Sequence, residues 1–249
     1  MRAPIDTIAA PPFPRGLTWI NVASLRMDKQ RGRPVLIEFF DVCRVASMQT
    51  LPYVQAWHER YAEHGLRVVS AHAPGYPPSQ DEDAVRTAVA RLGIEHPVCL
   101  DAEFELWREY ENEGWPARYL FDGDSMLFEF HYGAGAYAET EAAIQELLGI
   151  DDEPLLAPLR PEDDPDALLV VPTPEQPGAY SGPYQAGGVW AVLAGDGVVT
   201  ANGREIAVAA AGAYPLLEHE THVEGELVMT VGAGVECHAT VFTPGLAPA

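Results

Sequence analysis

Sulfur and lysine are scarce in this 249-residue chain, and long apolar runs are missing. Its three cysteines, Cys43, Cys99 and Cys237, are odd in number and far apart. They make no disulfide framework, and no two have the spacing of metal ligands, so neither a metal nor another cofactor is expected. No run approaches a membrane span, and the N-terminal MRAPIDTIAAPPFPRGL lacks the apolar core of a secretory signal. The expectation is a cytoplasmic protein. Lys29 is the only lysine among 15 bases, which face 37 acids for a net charge of -22. A phosphate surface would be repelled by that excess, so nucleic acid and membrane are not expected partners.

The length favours two domains, each with room for a core of ordinary depth. The organising stretch is residues 34–53, PVLIEFFDVCRVASMQTLPY. Its apolar run with one acid, Glu38, suits a central strand covered on both faces. A short turn leads into a helix with Met48, Leu51, Val54 and Tyr61 at helical spacing, Trp57 and His58 beside that stripe, and Pro52 inside it. Residues 1–30 are proline-rich and irregular until Trp19 and Ile20, as for a segment wrapping a sheet edge. LRVVSAHA reads as a second strand, PGYPPSQDED as a loop leading into a helix through Val85 and Val89, and HPVCLD as a third strand. A helical piece through Leu106 and Tyr110 follows, then a hairpin of ARYLFD and SMLFEFHYG, then a helix over residues 138–148. Strands alternating with helices before a hairpin predict a mixed α/β sheet with helices on both faces.

Ordered blocks across residues 15–148 carry a resemblance: RPVLIEFF, TLPYVQAWHERY, LGIEHPVCLD, WPARYLFD and HYGAGAYAETEAAIQELL. This region resembles the thioredoxin-like domain of the TlpA and DipZ type. The resemblance implies a turn holding two cysteines three positions apart, where a helix N-terminus favours a thiolate. It also implies a cis proline facing that turn, at the positions of Trp115 and Pro116. Aligned on TLPYV, the cysteine pair is replaced: Arg44, Val45, Ala46 and Ser47 stand there, with Cys43 one residue upstream.

Residues 150–167 are dense in proline and acid, as in an extended connector lying on the first domain. From Gly187 onward, short alternating or apolar runs are broken at Gly195, Gly203, Gly212, Gly225 and Gly234, the rhythm of an all-β sandwich or jelly roll. The ending is similar to the small sandwich that follows the thioredoxin-like domain in DipZ-type proteins, which resembles a carbohydrate-binding module. The expected organisation is therefore 1–149 thioredoxin-like, 150–167 connector and 168–249 β-sandwich. Residues 1–149 hold 13 bases and 22 acids and residues 150–249 hold 2 and 15, so the smaller region is the more acidic.

Dithiol exchange needs a thiolate and a second thiol that resolves the mixed disulfide. Without the pair, that cycle cannot run at the turn. Cys99 and Cys237 read as packing in strand interiors. Cys43 stands open between two readings: a buried structural residue, or a thiol activated by Arg44 and the helix start and opposed by Asp41. Three functions follow. A binding or scaffold protein would present Arg44 and Ser47 beside Trp115 and Pro116, with arginine as a bidentate donor to a carboxylate or phosphate on an unknown protein or small-molecule ligand. A one-cysteine peroxidase would use Cys43 as its catalytic thiol. A sugar binder would use Trp190, Tyr180 and Tyr184 on the sandwich. His219, Glu220 and His222 in LLEHETHV read as a solvated turn rather than a zinc site, lacking a third ligand. Glu109, Glu111 and Glu113 read as surface charge, and GAGAY at Gly133 is too lax for a phosphate loop. The oligomeric state is open.

Overall fold

The computed structural model describes residues 1–2 and 7–248, so the part of the proline-rich N-terminal segment at residues 3–6 lies outside the described residues. The chain divides into two units. The first comprises Met1–Asp41, Ala46–Pro74 and Leu92–Leu159, and the second Val42–Val45, Gly75–Arg91 and Arg160–Ala249.

The elements run β1 (Thr18–Ile20), β2 (Val35–Phe40), α1 (Val45–Tyr61), β3 (Arg67–His72), α2 (Glu82–Arg91), β4 (Val98–Leu100), α3 (Glu105–Glu109), β5 (Ala117–Phe121), β6 (Leu127–Tyr132) and α4 (Tyr137–Leu148). The six strands form one mixed sheet in the order β1-β4-β3-β2-β5-β6. β2 lies parallel to β3 and antiparallel to β5, and all six of its residues are buried. The N-terminal segment does follow sheet edges. β1 pairs with β4, while Ala9 bridges Met126 beside β6.

Strand alternation divides the first unit's core in two. Val35, Ile37, Phe39, Val69, Ala71, Tyr119 and Phe121 point to one face, where Leu106 and Tyr110 pack on them. Leu36, Val68 and Leu120 point to the other, against Trp57 and Tyr61 of α1 and Ile144 of α4. Glu38, Ser70 and Arg118 are register partners across β2, β3 and β5. By the same alternation they share the face of Leu36 and form one polar rung beside an apolar one.

The stretch after α4 is held to the first unit by side chains. The Leu156 amide donates to Glu141 and the Leu159 amide to Tyr53 Oη.

The second unit is built from β7 (Leu169–Val170), β8 (Gln176–Pro177), β9 (Gly182–Gly195), β10 (Gly197–Ala201), β11 (Arg204–Val208), β12 (Gly212–Leu227), β13 (Met229–Val231), β14 (Val235–Thr243) and β15 (Gly245–Leu246). Two antiparallel sheets, β12-β9-β14-β8 and β11-β10-β13, enclose a core of Ala191, Leu193, Val199, Leu216, Met229 and Phe242. The run LLEHETHV is not a turn. It lies inside β12, where the register with β9 shifts between Glu218 and Val223, and a bulge of this kind leaves polar residues unpaired without ending the strand.

One glycine pair fixes how closely β9 and β15 approach. A Cβ on Gly245 would lie 2.6 Å from Gly187 Cα, and a Cβ on Gly187 would strike Gly245 and the Pro244 carbonyl. Both obstacles are backbone and cannot rotate away. Gly187→Ala should destabilise the second unit by about 1–3 kcal/mol, read as a lower urea midpoint. An unchanged midpoint would mean that the strands slide apart freely.

Candidate functional site

The turn between β2 and α1 is Asp41 to Arg44. Cys43 has no exposed surface. Arg44 is half-buried, with its guanidinium 4.8 Å from the centre of the Tyr76 ring, and Tyr76 Oη donates to Glu175 at 3.0 Å. Arg44, Tyr76 and Glu175 all belong to the second unit, as does the pairing of the Ala213 amide with the Val42 carbonyl at 2.8 Å. The turn is therefore anchored by segments far along the chain.

Ser47 sits one turn into α1 in the first unit. Its buried Oγ accepts the Asp41 amide at 3.3 Å, which ties the end of β2 to the first turn of α1. Beside it, the buried Asp41 carboxylate lies 3.4 Å from His72 Nε2. The Trp115–Pro116 bond is cis. Pro116 is buried, while Trp115 donates through Nε1 to the Ala73 carbonyl at 2.9 Å and packs on Trp107 with ring centres 4.4 Å apart. The structure thus groups Ser47 with Asp41, and Trp115 with Trp107, whereas Arg44 keeps company with Tyr76.

The remaining thiols are in packing environments. Cys99 is buried in β4, where burial pushes its thiol well above the usual range, with Asp101 adding to the effect. Cys237 is half-buried and also raised by burial. His219 Nε2 lies 2.9 Å from Tyr184 Oη, and among the described residues no three metal-ligating side chains converge. Tyr184 is buried, and Tyr180 packs edge-on against Phe242. Of the acidic run, Glu109 lines an open depression of about 370 Å³ with Pro12, Pro14, Glu105 and Arg108.

The polar rung places ionisable groups in the sheet core. Burial pushes the Glu38 carboxyl up to about 7, against the opposing pull of its Ser70 hydrogen bond and of Arg118. Arg118 is itself buried, donates to the Gly135 carbonyl, and lies over the Trp57 and Tyr137 rings. His96, from the loop before β4, reaches Ser70 at 2.7 Å, and burial lowers its imidazole to about 3. Sequence reading noted Glu38 as the one acid in an apolar run but did not find Ser70, His96 or Arg118 beside it. No local spacing joins four residues from different segments.

Protein DipZ of Mycobacterium tuberculosis (strain CDC 1551 / Oshkosh) is 31% identical over 150 residues, which cover 59% of this chain and 22% of DipZ. The thiol-disulfide oxidoreductase YkuV of Bacillus subtilis (strain 168) is 26% identical over 130 residues, 52% of this chain and 87% of YkuV. The first unit has the thioredoxin-like fold and is similar in sequence to DipZ and YkuV. The fold agrees with a solution structure of a thioredoxin-like protein in the oxidized form, at a TM-score of 0.52 and 24% identity, over 57% of this chain and 95% of that one. A thiol-disulfide isomerase from Corynebacterium glutamicum gives a TM-score of 0.50 and 21% identity, over 58% and 98%. No family model matches the chain. The chain spans about a fifth of the length of DipZ. The turn of this chain holds Arg44 and Ser47 and no cysteine pair. No helix among the described residues is long and apolar enough to cross a membrane.

Proposed function

We propose that this chain is a thioredoxin-like binding protein that no longer performs dithiol–disulfide exchange and that works in the cytoplasm as a scaffold. One observation carries the reading. Positions 44 and 47 hold no sulfur, and the neighbouring Cys43 has no exposed surface. Exchange requires an attacking thiolate and a resolving thiol within reach of one another. The proposal assigns ligand contact to Arg44, whose planar fork suits a carboxylate or phosphate. Ser47, Trp115 and Pro116 remain in it as residues of the first unit, with the half-buried Trp115 as the one that would touch a ligand and the buried Ser47 and Pro116 supporting from beneath.

The test is insulin reduction driven by dithiothreitol. The protein should leave the rate at the uncatalysed level, while the double variant Arg44→Cys/Ser47→Cys should raise it; catalytic turnover by the parent would sink the proposal. For the binding half, calorimetric titration with inorganic phosphate and with acetate should give heat that Arg44→Ala loses, and equal heats would count against that residue. Fractionation of the native host tests the placement.

A peroxidase using Cys43 would need peroxide to reach a covered sulfur. Sugar binding would need exposed rings, yet Tyr184 is buried, Tyr180 is packed against Phe242 and Trp190 is half-buried in β9. The non-redox reading is the better supported of the three.

A further inference from the structure

Ser70 has one proton to donate and two neighbours that can take it. Its Oγ lies 2.9 Å from Glu38 Oε2 and 2.7 Å from His96 Nε2. A hydroxyl donates once and accepts on its lone pairs, so the two bonds must run in series. With Glu38 ionised, Ser70 donates to the carboxylate and accepts from His96, which puts the ring proton on Nε2. With Glu38 protonated on Oε2, the carboxyl donates to Ser70, Ser70 donates to Nε2, and the neutral ring carries its proton on Nδ1. A proton on Oε1 would leave the carboxyl O–H, the stronger donor, unpaired; on Oε2 that O–H and the Nε2 lone pair are both engaged in the chain and the weaker Nδ1–H is the donor left over, since neither Oε1 nor Nδ1 has a hydrogen-bond partner among the described residues.

We propose that Glu38, Ser70 and His96 form a proton relay through the sheet core, in which the tautomer of His96 reports and transmits the charge state of Glu38. On uptake, a proton joins His96 Nδ1, the Nε2 proton passes to Ser70 Oγ, and the Ser70 proton passes to Glu38 Oε2. One proton enters, the carboxylate becomes neutral, and hydroxyl and imidazole finish uncharged as they began.

The entry side is marked by His58. Its ring is half-buried, its centre is 5.6 Å from that of His96, and the Nδ1 atoms of both rings are buried without a hydrogen-bond partner among the described residues. Charges bearing on the relay come from several elements. Arg118 on β5 favours the ionised carboxylate, His58 on α1 disfavours charge on His96, and Arg67 and Glu95 act on His58 in opposite directions. Glu129, Glu139 and Tyr137 act on Arg118 in turn. Because burial holds the His96 imidazole down at about 3 while Glu38 titrates at about 7, the ring stays neutral throughout, and only its tautomer can change. The relay stands apart from the binding function of the turn.

Nitrogen-15 NMR of the histidine side chains in the full chain tests it, with His96 assigned by the signals lost in His96→Gln. On crossing about pH 7 downward, His96 should change from the Nε2–H to the Nδ1–H form. Ser70→Ala and Glu38→Gln should each abolish the pH dependence. A single tautomer on both sides of neutrality would overturn the relay, as would an interchange that survives either substitution. Should Ser70→Ala fail to fold, Glu38→Gln decides alone.

Discussion

Glu141→Ala should lower the stability of the thioredoxin-like domain by about 1–3 kcal/mol, the cost of leaving a buried donor unsatisfied. Glu141 is almost wholly buried on α4. It accepts from Arg60 Nη1 at 2.6 Å, from Tyr61 Oη at 2.7 Å and from the Leu156 amide at 2.9 Å. Gln145 extends the network, donating to Tyr61 Oη at 2.9 Å and to the Glu153 carbonyl at 3.1 Å. Alanine would leave the partly exposed Arg60 guanidinium with Glu153 and the Pro154 carbonyl alone, and the Leu156 amide without its acceptor. The loss is large because a domain's whole margin is only about 5–15 kcal/mol. Urea unfolding followed by the fluorescence of the buried Trp57 measures the global part. Hydrogen exchange at the Leu156 amide measures release of the connector. Glu141→Gln keeps the acceptor and should fall between parent and alanine variant; a midpoint shift below about 1 kcal/mol in the alanine variant would show that the network contributes little.

The pH dependence of stability should change sharply in Glu38→Gln. In the folded protein the Glu38 carboxyl holds its proton up to about 7, against an ordinary 4.5. A raised acid stabilises the fold while protonated, so its contribution is complete below 4.5 and is lost as pH rises through about 7. That interval corresponds to roughly 3 kcal/mol, at about 1.4 kcal/mol for each pH unit. His96 runs the other way. Its depression from 6.5 to about 3 gives stability that is present above 6.5 and lost as pH falls toward 3. The two slopes oppose one another between 4.5 and 6.5, so the clean window for Glu38 lies above 6.5. There the parent should weaken by only about 1 kcal/mol while Glu38→Gln stays level; between 4.5 and 6.5, where the parent's two slopes cancel, Glu38→Gln should gain stability as pH rises. Parallel curves would mean that Glu38 is already ionised below that window. Arg118 is the neighbour that would make it so.

Much of the α/β architecture was legible in local pattern. The buried run at β2, the helical stripe of α1 and the alternation in the β5–β6 hairpin each encode their element within a few residues. The loss of the cysteine pair was equally plain, since it depends only on residue identity once the blocks are aligned. The run LLEHETHV was misread because a bulge inside a strand has the same polar composition as a turn. Nor did sequence reading pair Arg44 with Tyr76 and Glu175, which lie in separate stretches of the chain.

What the sequence by itself determined, then, was the thioredoxin-like frame, the all-β character of the second region and the absence of sulfur at positions 44 and 47. The frame came from the resemblance of ordered sequence blocks, and the other two from strand rhythm and residue type. Tertiary structure alone decided that Cys43 is covered, that Arg44 lies over Tyr76, and that Glu38, Ser70 and Arg118 come abreast with His96 at their side. Strand register and burial create those relations between segments that are distant along the chain, and burial is what moves the titration of Glu38 to neutral pH.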